Sequence, residues 1–197
     1  MKSLTAICLL CVAASLPAQR LDIAALQSRC LPAVPLTTLN AIILVESGGN
    51  PNAMQIDFPR TLLKQWHLPE GTLRLKRQPT TEREALEWLE YFERRNISVD
   101  LGLMQVSTAE AHRRGLPAES LLDPCFNLRA GWQILDSAYQ LETKTYGSGQ
   151  EALQHAISRY NTGDTQRGIH NGYLARVMAA LKQGSATTSM TKGEGRK

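Results

Sequence analysis

Residues 41–51 read Ala-Ile-Ile-Leu-Val-Glu-Ser-Gly-Gly-Asn-Pro, an apolar run that meets one acid and then a Gly-Gly-Asn-Pro stop. Leu39, Ile42, Ile43 and Glu46 recur at the i, i+3, i+4, i+7 spacing of one helix face. This spacing predicts a helix that packs on the core and leaves the Glu46 carboxyl group half-buried. Burial and the negative end of the helix dipole both raise the pKa of a carboxyl group toward the range of a general acid. A partly exposed glutamate at a fraying helix end is the alternative interpretation.

The N-terminus has the three parts of a secretory signal. Residues 1–3 include the basic Lys2, residues 4–14 are largely apolar, and small residues allow cleavage after Ala14, Ser15 or Ala18. The apolar run is too short to cross a bilayer, and no later run approaches ~20 apolar residues. We therefore expect an exported, periplasmic protein without a membrane span, and an uncleaved anchor is the alternative.

The chain divides into a signal peptide over residues 1–18, one domain over residues 19–182, and a basic tail over residues 183–197. The tail is rich in Gly, Ser and Thr and poor in large apolar residues, which predicts disorder. The net charge of +4 lies at the two ends, since residues 19–181 carry equal numbers of basic and acidic side chains. A neutral body without a basic stripe argues against a nucleic-acid partner.

The domain has mostly helical periodicity. Helices are predicted from two capping boxes, one Asp-Pro pair and two apolar stripes: Thr81–Glu84, Ser107–Glu110, Asp123-Pro124, Ala152–Tyr160 and Tyr173–Leu181. Residues 97–103 alternate with period two, which predicts a short extended segment. The fold class is therefore mainly α, a single helical domain with one short β segment.

Two of the four cysteines, Cys8 and Cys11, lie in the predicted signal. Cys30 and Cys125 remain in a chain that reaches an oxidising compartment, which predicts one long-range disulfide between them. The four histidines show no metal-ligand spacing with each other or with the cysteines. We therefore predict no metal site and no cofactor.

Three separated motifs resemble those of the lysozyme-like lytic transglycosylases. Glu46-Ser47, with the Gly-Gly-Asn-Pro that follows, is similar to the catalytic Glu-Ser motif of that family. Residues 102–105, Gly-Leu-Met-Gln, are similar to its Gly-Leu-Met-Gln loop, and Tyr160-Asn161 to its Ala-Tyr-Asn motif, with Arg159 standing where alanine is usual. The chain looks most like the subgroup that accompanies type IV secretion, conjugation and related envelope machines.

The resemblance implies a lysozyme-like α+β fold with a groove for the glycan strands of peptidoglycan. It implies that Glu46 protonates the oxygen between N-acetylmuramic acid and N-acetylglucosamine, then removes the proton of the muramoyl C6 hydroxyl. A 1,6-anhydro ring closes without water. Implied substrate-binding residues are Ser47, Gly102, Met104, Gln105, Tyr160 and Asn161, with Met104 as a groove wall. Proteins of a secretion, conjugation or pilus apparatus are the implied partners.

Several alternatives stay open at this stage. The Tyr160 hydroxyl needs a partner if it is buried, and we expect the Glu46 carboxyl group. Asp57, Asp100 and Asp123 could supply a second carboxyl group, although Asp123 is better explained as a helix cap and Asp100 as a residue that orients the following loop. Other candidate functions are hydrolysis of the same bond, cleavage of chitin-like polymers, and a catalytically idle glycan-binding assembly protein.

Overall fold

A computed structural model of the chain describes residues 21–57 and 72–193, so the predicted signal peptide lies outside the described residues. The helices are α1 Ile23–Cys30, α2 Leu36–Ser47, α3 Glu82–Glu93, α4 Thr108–Arg113, α5 Pro124–Tyr146, α6 Gln150–Thr162, α7 Arg167–His170 and α8 Tyr173–Gly193, with a 3-10 turn at Ala118–Leu122. The strands are β1 Met54–Asp57, β2 Thr72–Arg74, β3 Ser98–Leu101 and β4 Val106–Ser107. The predicted mainly α fold class is confirmed.

Side-chain caps fix where α5 and α3 begin. The Asp123 carboxylate accepts a hydrogen bond from the Phe126 N–H at 2.7 Å, which confirms the predicted cap. The Thr81 hydroxyl accepts from the Glu84 N–H at 3.2 Å. The Glu84 carboxylate accepts a hydrogen bond from the Thr80 N–H at 2.9 Å. The predicted capping box at α3 is therefore present, but its carboxylate bonds to the N–H of the residue before the N-cap and not to that of the N-cap itself.

The start of α4 is capped from β3 instead of by its own predicted box. The Ser107 side chain makes no cap bond. The Ser98 hydroxyl accepts from the Ala109 N–H at 3.2 Å, while the Thr108 hydroxyl accepts from the Val99 N–H at 3.1 Å. These reciprocal bonds join α4 to the sheet, a long-range solution that the local sequence pattern does not contain.

The strands form one antiparallel sheet in the order β2-β1-β3-β4. The predicted extended segment is confirmed as β3, and the structure adds three further strands that the sequence analysis did not predict. Gln55 pairs with Asp100, and Ile56 pairs with Val99. Since Ile56 and Val99 are buried, the alternation turns Gln55 and Asp100 toward the opposite face of the sheet.

The core lies between α2, α8 and the sheet on one side and α5 and α6 on the other. Leu39, Ile42 and Leu128 are at most 1% exposed. Cys30, the last residue of α1, is joined by a disulfide to Cys125 in the first turn of α5, with the Cα atoms 5.4 Å apart. The predicted disulfide is therefore confirmed.

The final helix extends beyond the predicted domain end. α8 continues to Gly193, although the composition predicts disorder from Gln183 onward. Residues 183–193 contain no proline, and extending a formed helix adds one backbone bond for each residue that is fixed. Residues 194–197 lie outside the described residues.

We find no helix in the described ranges that combines the length and the apolar character needed to traverse a lipid bilayer.

Candidate active site

Two adjoining cavities meet at Glu46. The larger one, here called the cleft, has a volume of about 1210 Å³, and the smaller one, the side cavity, about 250 Å³. Both are lined by Glu46 and by three neighbouring residues: Val45, Gln55 and Gln105. A polymer that occupied both cavities would therefore pass the Glu46 carboxyl group.

The end of α2 presents Glu46 to this junction. Ile42 and Ile43 are buried, while Glu46 is partly exposed one turn later. Gly48 then ends the helix in the left-handed conformation with φ of 62°, which glycine adopts without steric cost. The predicted helix and its half-buried acid are both present.

Tyr173, in the first turn of α8, holds the Glu46 carboxyl group. Its hydroxyl donates a hydrogen bond to Glu46 Oε1, and its side chain is only 2% exposed. Burial and the neighbouring Glu46 raise the pKa of Tyr173 far above its ordinary value, so the hydroxyl stays a neutral donor. The sequence indicates Tyr173 only as part of an apolar helix stripe, and no motif singles it out.

Tyr160 does not have the partner that we expected. Its hydroxyl donates to the Met104 carbonyl oxygen at 2.6 Å instead of to Glu46. Burial, followed by the charges of Glu46 and Asp100, raises the pKa of Tyr160 well above its usual value. Tyr160 therefore lines the cleft while it fixes the Gly-Leu-Met-Gln loop, because a buried hydroxyl takes the nearest available acceptor.

The loop of residues 102–105 is held by the amide of Gln105. Gln105 Nε2 donates to the Ala53 carbonyl oxygen at 3.0 Å and to the Gly102 carbonyl oxygen at 2.9 Å. Its backbone has a φ of 49°, an uncommon value outside glycine. Gln105 lines both cavities, and with its nitrogen engaged in the loop, its amide oxygen is the group suited to accept from a ligand.

Gly102 and Met104 are packing residues of the loop, which differs from the expected sugar contacts. Gly102 is buried with a φ of 78°, and a Cβ atom there would lie 2.4 Å from Asn127 Nδ2. Met104 is 0% exposed and packs against Gly131 of α5. Neither residue lines the cleft, because both pack against residues of α5.

Asn127 of α5 ties this loop to the core. Its Oδ1 accepts from the Met104 N–H at 2.8 Å, and its Nδ2 donates to the carbonyl oxygens of Leu101 and Leu121 at 2.8 and 2.9 Å. The side chain is 0% exposed, so these bonds satisfy an amide that burial would otherwise destabilise.

Ser47 joins the acid-bearing helix to the loop. Its hydroxyl lies 2.9 Å from the Leu103 carbonyl oxygen and 3.1 Å from that of Ile43, and it accepts from the Gly49 N–H at 3.2 Å. Ser47 lines the side cavity. It therefore positions the helix end that carries Glu46.

Asp100 is a second acid of the cleft. Burial raises its pKa to about 7, with further contributions from the charges of Asp57 and Glu46. Asp57 also lines the cleft, and burial raises its pKa as well. Asp123 is exposed, caps α5 and is absent from the cleft lining.

The wall opposite the sheet is formed by the end of α6, by α7 and by the first turn of α8. Arg159 lies in this wall, and its Nε donates to Glu142 Oε1 at 2.5 Å. Glu142 is 3% exposed and also accepts from the Thr165 hydroxyl at 3.0 Å. A buried acid on α5 thus accounts for an arginine where alanine was expected. Asn161 lies in the same wall.

In the part of the chain that the structure covers, no group of three or more His, Cys, Asp or Glu side chains is arranged to hold a metal ion.

Comparison with known proteins gives consistent matches over most of the chain. The family model described as "Transglycosylase SLT domain" matches residues 24–176. "Protein virB1" of Agrobacterium fabrum is 32% identical over 154 residues, which are 78% of this chain and 57% of that relative. "Type IV secretion system protein virB1" of Brucella abortus biovar 1 is 30% identical over 161 residues, 79% of this chain and 62% of that relative. The chain thus matches about three fifths of the length of these relatives. No solved structure gives a significant match.

Proposed function

Since the chain belongs to the transglycosylase SLT domain family, we propose that it is a lytic transglycosylase that cleaves the β-1,4 bond between N-acetylmuramic acid and N-acetylglucosamine in peptidoglycan. The observation that carries this proposal is the position of Glu46 where the cleft and the side cavity meet, with its carboxyl group held by Tyr173. A glycan strand in both cavities would have sugars on each side of the acid.

Glu46 acts first as a general acid. Its protonated carboxyl group donates the proton to the glycosidic oxygen as the bond from that oxygen to C1 of the muramoyl residue breaks. The leaving N-acetylglucosamine gains a hydroxyl group, and positive charge develops at C1 beside the new carboxylate. The Tyr173 hydroxyl keeps that carboxylate oriented through both steps.

Glu46 then acts as a general base. Its carboxylate takes the proton of the muramoyl C6 hydroxyl while the C6 oxygen bonds to C1, which closes the 1,6-anhydro ring. The carboxyl group ends the cycle protonated, so no water molecule is consumed and no second carboxylate is required. This one-acid cycle differs from ordinary glycoside hydrolysis, which uses two carboxyl groups.

Polar and apolar groups along the two cavities are suited to sugars. The amide side chains of Gln55, Gln105 and Asn161 can bond with hydroxyl and N-acetyl groups. Leu44 at the side cavity and Leu141 at the cleft are 54% and 46% exposed, which offers apolar surface to the faces of sugar rings.

The cellular setting is part of the same proposal. The predicted signal and the disulfide between Cys30 and Cys125 fit an exported, periplasmic protein. The relatives named for type IV secretion support a role in opening the cell wall locally for a secretion or conjugation apparatus, whose proteins would be the partners.

Hydrolysis of the same bond is the second candidate function, and Asp100 favours it. Asp100 lines the cleft and interacts electrostatically with Glu46, so it offers the second carboxyl group that a hydrolase requires. Hydrolysis would leave a reducing muramoyl end, which is heavier than the anhydro end by one water.

Digestion of purified sacculi with analysis of product masses tests the proposal. We expect anhydro-muramoyl products from the wild type and none from a folded Glu46→Gln variant, since glutamine cannot transfer the proton. Products that all carry added water would instead establish the hydrolase, and wild-type turnover by Glu46→Gln would falsify the role of Glu46.

A further inference from the structure

We infer that Arg167 and Arg176 form a carboxylate-binding subsite in the cleft, which takes carboxylate groups of the stem peptide attached to the muramoyl residue. The inference rests on the proposed function and adds to it a substrate class: peptide-bearing glycan, in preference to glycan without peptides.

The cleft is lined by acids and arginines that come from different elements of the fold. The acids Glu46, Asp57 and Asp100 lie at the end of α2 and on the sheet. Three arginines lie on the wall of α6, α7 and α8: Arg159, Arg167 and Arg176. A substrate with a neutral sugar backbone and anionic branches on one side would complement this arrangement.

Two of the arginines that line the cleft are neutralised by acids. Arg159 pairs with the buried Glu142 at 2.5 Å, and Arg113, the last residue of α4, pairs with Glu110. Within residues 21–57 and 72–193, neither Arg167 nor Arg176 forms an ion pair with an acidic side chain. These two guanidinium groups are therefore the cleft cations available to an anionic ligand.

Asp164 is the acid that interacts with Arg167 through space. Its Oδ1 accepts from the backbone N–H groups of Gln166 and Arg167, both at 2.8 Å. The carboxylate is thus engaged by the loop backbone and makes no direct bond to the Arg167 guanidinium group.

The backbone that carries Arg167 is held firmly against α6. The Ser158 hydroxyl accepts from the Gly168 N–H at 2.8 Å, and a Cβ atom on Gly168 would lie 2.6 Å from Ser158 Cα. This close backbone contact fixes the start of α7. A positioned cation loses less entropy on binding than one on a mobile loop.

Arg176 lies close to the proposed site of chemistry. Its guanidinium carbon is 5.6 Å from the centroid of the Tyr173 ring, and the hydroxyl of that ring donates to Glu46. A group bound by Arg176 would therefore belong to the sugar at the scissile bond or to its substituent. The substituent of a muramoyl residue is the lactyl group that carries the stem peptide.

Amide groups lie in the same wall. Asn171 Nδ2 donates to Asn161 Oδ1 at 3.2 Å, and both side chains line the cleft. Guanidinium groups bind carboxylates through paired N–H bonds, and side-chain amides bond with peptide groups. The combination fits a short peptide with free carboxylates better than it fits an uncharged sugar.

The test compares three soluble glycan substrates of equal strand length. The first carries native stem peptides, the second carries the same peptides with their carboxylates converted to methylamides, and the third has been stripped of peptides by an amidase, which leaves the lactyl carboxylate. The enzymes are the wild type, the Arg167→Gln/Arg176→Gln double variant, and an Arg83→Gln control whose side chain is 90% exposed and outside the cleft lining.

We expect the wild type and Arg83→Gln to have a kcat/KM about tenfold higher on the native substrate than on the methylamide substrate. This ratio corresponds to the free energy of one charge-assisted hydrogen bond. For the double variant, that ratio should fall to about one. The wild-type preference should also weaken as salt is raised.

Equal cleavage of all three substrates by the wild type would overturn this inference but leave the proposed function intact. Cleavage of stripped strands as fast as native strands would overturn the peptide assignment in favour of the lactyl carboxylate. An unchanged preference in the double variant would overturn the role of the two arginines. Failure of the wild type to cleave any of the substrates would instead count against the proposed function itself.

Discussion

Tyr173 and Glu46 are 127 residues apart in the sequence, yet the tyrosine hydroxyl donates directly to the glutamate carboxyl group. The bond joins the first turn of α8 to the last turn of α2, two helices that pack along each other in the core. The orientation of the proposed acid is thus set by a buried residue on a remote helix.

Replacement of Tyr173 by phenylalanine should lower kcat by about tenfold and leave KM nearly unchanged, because it removes one hydrogen bond to a charged group and keeps the ring that lines the cleft. Loss of this donor disfavours the ionised carboxylate, so the pH optimum of cleavage should move upward. Rates on sacculi across a pH series measure both effects. Tyr91→Phe, on an exposed tyrosine of α3, is the control. An unaltered kcat and pH profile would contradict the role of Tyr173.

Replacement of Asp100 by asparagine should stabilise the protein at pH 8 and leave its stability nearly unchanged at pH 4. The folded protein raises the pKa of Asp100 from 3.8 to about 7, so folding favours the protonated form. The stability from this group is fully present below pH 3.8 and is lost as the pH rises through about 7. The melting temperature at pH 8 should rise by on the order of 10 °C.

The same Asp100→Asn variant separates the two candidate reactions. A transglycosylase that uses Glu46 alone should keep its anhydro products and a rate within about tenfold of the wild type. Asp136→Asn, on the exposed side of α5, controls for loss of surface charge. Complete loss of turnover by a folded Asp100→Asn protein would favour the two-carboxylate hydrolase.

Replacement of Arg159 by alanine should destabilise the fold by about 3 kcal/mol, because it leaves the Glu142 carboxylate buried without its partner. Chemical denaturation measures this loss. Arg83→Ala breaks an exposed pair with Glu87 and should cost less than about 1 kcal/mol. Equal effects of the two variants would show that the Glu142 pair has no special structural role.

Removal of the disulfide by a double Cys30→Ser/Cys125→Ser change should lower stability by about 3 to 5 kcal/mol and largely preserve the initial rate at low temperature. Stability should fall because the bond closes a loop of 95 residues. Activity should persist because neither cysteine lines the cleft. Denaturation curves and initial rates, with reduced wild type for comparison, provide the measurement. A variant that stays folded yet loses activity would argue against a purely stabilising role.

Much of the helical fold could be predicted because its signals are local. The Asp123 cap and the apolar face around Ile42 lie within a few residues of the structure that they specify. Most of the sheet could not be predicted, since β4 has two residues and receives its geometry from pairing with β3.

The residues of the candidate site also differ in whether a local sequence signal identifies them. Glu46 stands out because an acid interrupts an apolar face, a pattern visible in one segment. Tyr173, Asn127 and the raised pKa of Asp100 depend on contacts between distant segments, which no local pattern contains. The partner of Tyr160 was predicted wrongly for the same reason, since the Met104 carbonyl oxygen faces its hydroxyl only after the loop has folded.

The bond between Cys30 and Cys125 also determines what a protease can do to this protein. A single cut between residues 47 and 124 opens a ring and does not divide the molecule, so the fragment with Glu46 stays covalently attached to the fragment with Tyr173. A copy cut in this way would remain one molecule until its cystine was reduced.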